Sequence, residues 1–150
     1  MVDGVRSEGL GFLESFEGFV RRVVGCFNAV ELEYMLTGAL AVSYYGRART
    51  TTDVDVIVAV SGREWRNRLV STLKDARIAV DEKKIDAALK SGYKIVTFKD
   101  EKSPLSIDII LSEEKLKKRA GSVLGLPTFY QTPEELILAK LRMIKATVPK

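Results

Sequence analysis

The stretch Leu36–Val60, LTGALAVSYYGRARTTTDVDVIVAV, constrains this chain more than any other. It reads as a glycine turn opening a short helix, then a basic and threonine-rich loop, then a strand that begins Asp53-Val54-Asp55. Side chains alternate faces along a strand, so Asp53 and Asp55 project one way and Val54, Val56 and Val58 the other. Two carboxylates together at the start of an apolar strand repel each other, and a divalent cation is the usual remedy. Asp53 taken alone also reads as a turn residue. Asp55, inside the aliphatic run, is harder to explain that way.

A second acidic strand follows. Leu105-Ser106-Ile107-Asp108-Ile109-Ile110-Leu111 sets one aspartate in the middle of an aliphatic run, although Asp is depleted in strands and almost never fully buried unpaired. Three aspartates from two strands, close to a glycine turn at a helix N-terminus, make a site for metal-bound phosphate. Their hard oxygens suit Mg2+, or Mn2+ in its place, and the free N–H groups of a helix start suit a phosphate.

Gly38-Ala39, then thirteen residues, then Asp53-Val54-Asp55-Val56, with Asp108 between Ile107 and Ile109, resembles the nucleotidyltransferase superfamily, the DNA polymerase beta-like fold. Leu36-Thr37-Gly38-Ala39-Leu40-Ala41, and Arg49-Thr50-Thr51-Thr52 before the acidic pair, are similar to small prokaryotic members. Those include minimal nucleotidyltransferases and the toxin-like transferases of abortive-infection systems. The resemblance spans roughly Tyr34 to Ile144. It implies an α+β fold, a mixed β-sheet flanked by helices. It also implies an enzyme that moves a nucleoside monophosphate from a Mg-NTP to a hydroxyl on a protein, a tRNA end or a small molecule.

Carried over by position, Asp53 and Asp55 would hold both of two Mg2+ ions, and Asp108 the one that binds the attacking hydroxyl. Thr37, Gly38 and Ala39 would form the turn against the nucleotide phosphates, Gly38 letting the backbone come close. Ala39 stands where the family usually has a second glycine or a serine. It keeps the backbone donors available but offers no hydroxyl. Arg49, and with it Arg47, would meet phosphate oxygens, though each reads equally as a solvated loop arginine. Lys140, beside the apolar face of the last helix, either snorkels outward along its own stem or reaches the cleft.

The rest of the chain narrows the options. With no histidine among 150 residues, His-based zinc sites and histidine general bases are excluded, and acid–base or metal chemistry falls to Asp, Glu, Lys or Tyr. A single cysteine, Cys26, excludes an internal disulfide and fits a reducing cytoplasm. No apolar run is long enough to cross a bilayer, and the start has no signal-peptide pattern. A net charge of +4 is compatible with nucleotide or nucleic-acid partners and equally with a solvated surface. The length suits one domain with a proper core.

Periodicity and turn residues supply the remaining elements. Phe12, Phe16, Phe19, Val20, Val23 and Phe27 predict an amphipathic helix over 8–30, its aromatic stripe turned to the core. A short strand over 33–37 leads to the helix from Gly38 through Tyr45, stopped at Gly46 by a left-handed glycine. Tyr44 and Tyr45 either pack the core or stack on a base. The strand over 53–60 is apolar enough to be covered on both faces. Ser61–Glu64 reads as a capping box for a helix with Trp65, Leu69 and Leu73 inward, and Asp81 as the cap of another. Residues 93–99 and 104–111 form an antiparallel hairpin. Ser112 with Glu113 and Glu114 predicts a short helix fading by Gly121, followed by a loop to Gln131 with a brief extended piece near Phe129. Thr132-Pro133-Glu134-Glu135 is the best-marked helix start.

The helix from Pro133 needs something to pack against beyond Lys150: a further helix of a longer chain, a partner protein or a second copy. Together with Ala39 this favours an alternative, a catalytically weak nucleotide-binding protein or toxin–antitoxin partner with the same fold. A phosphatase with an Asp-x-Asp nucleophile places its acids after an apolar strand, whereas here the aliphatic residues follow them. A sugar-nucleotide transferase with an Asp-x-Asp site typically needs a longer chain.

Overall fold

The structure is a computed structural model. It describes residues 7–46 and 53–147, with the backbone alone for 7–15, 140 and 143–147. Its centre is a seven-stranded mixed sheet. The elements run α1 (Ser7–Asn28), β1 (Tyr34–Thr37), α2 (Gly38–Tyr45), β2 (Asp53–Ala59), α3 (Trp65–Asp75) and β3 (Ile78–Ala79). They continue with α4 (Glu82–Lys90), β4 (Ile95–Asp100), β5 (Ser106–Ser112), β6 (Lys118–Val123), β7 (Leu126–Gln131) and α5 (Pro133–Thr147). Across the sheet the order is β3-β4-β5-β2-β1-β7-β6, with β2 parallel to β5, β1 parallel to β7 and every other neighbour antiparallel. The α+β class and the helix-flanked mixed sheet stand as expected. Among the described residues no helix is long and apolar enough to cross a membrane.

The two faces of the sheet differ. One carries the main core: Tyr34, Leu36, Val54, Val56, Val58, Ile107, Ile109 and Tyr130 from the strands meet Phe19, Val23 and Phe27 of α1, Leu69 and Leu73 of α3, and Ile85 of α4. The other face holds only a small cluster, in which Leu116 covers Met35, Ile57 and Ala59. The expectation that β2 is covered on both faces therefore holds for its second half alone. Its first half, with Asp53 and Asp55, is left half-open.

Four further expectations give way. No helix follows Ser112. Its hydroxyl instead accepts from the backbone N–H of Glu114 in a local turn, and residues 118–131 form the β6–β7 hairpin. Leu124 (φ 49°) and Gly125 (φ 82°) make its turn; both central residues are left-handed, as a two-residue hairpin demands, but only one is a glycine. The box at Ser61–Glu64 does not form: Glu64 sits at the N-cap of α3 without a side-chain bond. Gly46 ends α2 in an extended conformation, φ 175°, with its N–H on the Val42 carbonyl. The edge strand β3, two residues long, has no sequence signal.

The locally encoded caps are as expected. Asp81 accepts from the N–H of Lys83, and Thr132 Oγ1 from the N–H of Glu135. Replacing Thr132 by Ala is expected to destabilise the protein by about 1 kcal/mol, which a urea denaturation midpoint would register.

Candidate active site

The paired register of four strands builds the site. In the parallel pair β2–β5, Asp53 stands opposite Ser106 and Asp55 opposite Asp108. On the far side of β5, β4 sets Thr97 opposite Asp108 and Lys99 opposite Ser106. On the far side of β2, β1 sets Thr37 opposite Asp55. Alternation then orders the open face into rungs: Lys99–Ser106–Asp53, next Thr97–Asp108–Asp55–Thr37, next Ile95–Ile110–Ile57–Met35. Two polar rungs border an apolar one.

Hydroxyls hold two of the acids. Ser106 Oγ donates to Asp53 Oδ1 at 2.7 Å, and Thr97 Oγ1 donates to Asp108 Oδ1 at 2.6 Å. Asp55 is held differently. Burial first, then the charge of Asp108, a hydrogen bond with Asp108 and the charge of Asp53 push its carboxyl up from the ordinary 3.8 to about 6. Two carboxylates in contact retain a proton because both cannot ionise cheaply. Among the described residues neither Asp55 nor Asp108 meets a lysine or arginine.

The glycine turn is pressed against this pair. Gly38 has φ 64°, and a Cβ on it would fall 2.2 Å from Asp55 Oδ2. Only glycine leaves room there for the carboxylate, a constraint that adds to the freedom of approach expected from the turn. Thr37 occupies the N-cap of α2 without bonding to the helix; its hydroxyl donates to Gln131 Oε1 at 2.6 Å. The first turn of α2 thus has no capping side chain, and its N–H groups point where an anion would be favoured. Ala39 is half-buried in that turn.

Asp55, Asp108, Thr37 and Gly38 therefore come together, with Asp53 one rung away on the same face and Ala39 in the adjoining first turn of α2. Arg47 and Arg49 lie outside the described residues. Lys140 falls within α5, its side chain outside the described part. Tyr44 stacks on Tyr130 with centroids 4.1 Å apart, and Tyr45 donates to the Gln131 carbonyl, so both serve packing. Thr97, Ser106 and Gln131 were not singled out in the sequence. Their only signal is alternation along β4, β5 and β7, which becomes informative once the register is known.

The chain matches no family model, and no curated protein matches it in sequence. Its structure is similar to the crystal structure of a "putative nucleotidyltransferase" from Thermotoga maritima, with a TM-score of 0.60 and 13% sequence identity, covering 85% of this chain and 83% of the other. The chain has a nucleotidyltransferase fold. At that identity the likeness is one of backbone, and the chemistry rests on the side chains of this chain.

A divalent ion is tested by the same side chains. Among the described residues no three carboxylates or thiols gather around one point. The close pair is Asp55 and Asp108, opposed in register and with no lysine or arginine partner among the described residues, and their hard oxygens match what Mg2+ or Mn2+ prefers. Asp53 lies one rung away on the same face, near enough for its charge to act on Asp55.

Proposed function

We propose that the chain is a nucleotidyltransferase that moves a nucleoside monophosphate from an NTP to a hydroxyl acceptor on a protein, a tRNA or a small molecule. One observation carries the reading: Asp55 and Asp108 are opposed on neighbouring strands beside the left-handed Gly38 turn, and among the described residues no lysine or arginine pairs with either. Asp55 and Asp108, with Asp53, would hold the metal. Bound Mg2+ supplies charge neutralisation of the triphosphate and a lower pKa for the acceptor hydroxyl. The uncapped start of α2 binds the phosphates, with Gly38 and Ala39 offering backbone N–H groups. The acceptor oxygen forms a bond to the α-phosphorus as the bond to pyrophosphate breaks. Asp108 takes the hydroxyl proton, in a chain that has no histidine to do so.

Thermal shift with ATP, CTP, GTP and UTP tests the binding half. At a hundredfold excess over Kd, the matching NTP with Mg2+ is expected to stabilise the protein by about 2.7 kcal/mol, roughly 5–10 °C for a chain of this size. The double variant Asp53→Asn/Asp55→Asn should show no shift. Absence of any Mg2+-dependent shift in the wild type would end the reading. Labelled NTP added to cell extract then tests transfer and reveals the acceptor.

A second reading, a weakly catalytic nucleotide-binding protein or toxin–antitoxin partner, is favoured by the surface of α5. Ile137, Leu138 and Leu141 are 60%, 42% and 55% exposed there, an apolar stripe of the kind a partner covers. Nucleotide binding without label transfer would select it.

A further inference from the structure

We propose that Thr97 and Ser106 are positioning residues for the acidic site, each holding one carboxylate oxygen of the aspartate directly across from it. The inference rests on the nucleotidyltransferase reading and extends it to residues on β4 and β5 that touch the acids.

Both hydroxyls stand in register with their acids, Thr97 with Asp108 across the antiparallel pair and Ser106 with Asp53 across the parallel one. Both bonds are well formed, at 2.6 and 2.7 Å. A hydroxyl does not neutralise a carboxylate. A sheet built for stability would place an opposite charge across the strand, where such a pair is favourable. The position opposite Asp108 instead carries a neutral donor, and Asp108 has no lysine or arginine among the described residues.

At Asp108 a neutral donor leaves the negative charge available, and at both acids the hydroxyl fixes where the bonded oxygen points. An aspartate free to turn must be ordered when it takes up a ligand, whereas a pinned one has been ordered by folding. Partners of this kind, one step removed from a ligand, typically change affinity or activity by 10–100-fold when removed. Thr97 separates positioning from folding well, because it is exposed and its replacement by the isosteric Val leaves the strand intact.

Binding of Mn2+ alone, followed by the electron paramagnetic resonance signal of the free ion, supplies a readout apart from activity. Thr97→Val and Ser106→Ala are each expected to raise the Mn2+ Kd by about 10–100-fold, with the melting temperature of Thr97→Val within about 2 °C of wild type. Thr97→Ser, which restores the hydroxyl, should bind as wild type does. If Thr97→Val and Ser106→Ala bind Mn2+ with wild-type affinity while Asp55→Asn does not, positioning is overturned and the metal reading stands. Loss of binding in Thr97→Ser as large as in Thr97→Val overturns positioning too, since the hydroxyl is then not what matters. A wild-type protein that takes up no Mn2+ overturns both.

Discussion

Replacing Asp55 by Asn is expected to make the nucleotide-free protein more stable while removing its transfer activity. The sign follows from proton binding. Burial, Asp108 and Asp53 raise the Asp55 carboxyl from 3.8 to about 6 in the folded state. The folded chain therefore binds this proton more tightly than the unfolded chain does. Stability contributed by the proton is fully present below the unfolded value and is lost as pH rises towards the folded one. Above about pH 6 the ionised pair is a net liability. A shift of that size corresponds to at most about 3 kcal/mol, and solvent around a half-buried group reduces it to about 1–2 kcal/mol. Asn keeps the shape and removes the charge, so Asp55→Asn should melt roughly 3–6 °C higher than wild type at pH 7.5. The two should converge near pH 4, where both side chains are neutral. Transfer should fall by about a thousandfold or more, because several kcal/mol of transition-state stabilisation depend on the metal the carboxylate would hold. Melting curves from pH 4 to 8 alongside initial rates check both halves. A variant that melts lower than wild type at pH 7.5 would show that Asp55 has a stabilising counter-charge.

That opposition of stability and activity at one residue explains why part of the site was legible in the sequence. An aspartate inside an aliphatic strand breaks the local rule for strands, and such breaks gather at functional positions. Asp55 and Asp108 declared themselves in this way, each within its own strand. Their mutual register did not, because β2 and β5 are parallel and linked through α3, β3, α4 and β4, so no turn between them sets the alignment. Thr97 and Ser106 were hidden for the same reason: a hydroxyl on a strand gains meaning only when its cross-strand partner is known.

The hairpin of β6 and β7 was hidden by composition. Its first strand, Lys118-Arg119-Ala120-Gly121-Ser122-Val123, has almost no apolar alternation, because the side chains do unusual work. Lys118 lies over the Phe129 ring and pairs with Glu33. Gly121 leaves room for the Tyr44 ring, which a Cβ there would meet at 2.8 Å. A left-handed Leu124 then conceals the turn, since that conformation is strained for any residue but glycine and a few others. By contrast, the cap at Thr132 depends on residues three apart and was readable directly.

Gly38 is where local conformation and long-range packing meet, and Gly38→Ala is expected to be severe. Two separate terms add. The left-handed φ of 64° costs an L-residue about 1–2 kcal/mol, and the new methyl meets Asp55 Oδ2 at 2.2 Å and its Cγ at 2.8 Å. Relief requires the Asp55 side chain or the β1–α2 turn to move, at a further cost of about 1–3 kcal/mol. The sum, about 2–5 kcal/mol, corresponds to a fall in melting temperature of roughly 5–15 °C. Unlike Asp55→Asn, this substitution damages both properties: the displaced carboxylate no longer faces Asp108, and the Mg2+-dependent shift with NTP should vanish even in the fraction that stays folded. Gly46→Ala is the matched control at the other end of the same helix. Its φ is 175° and nothing lies within 4 Å of the added methyl, so its melting temperature and nucleotide response should be close to wild type. Equal effects from the two substitutions would mean that the turn tolerates a side chain, and that Gly38 and Asp55 are not packed as a unit.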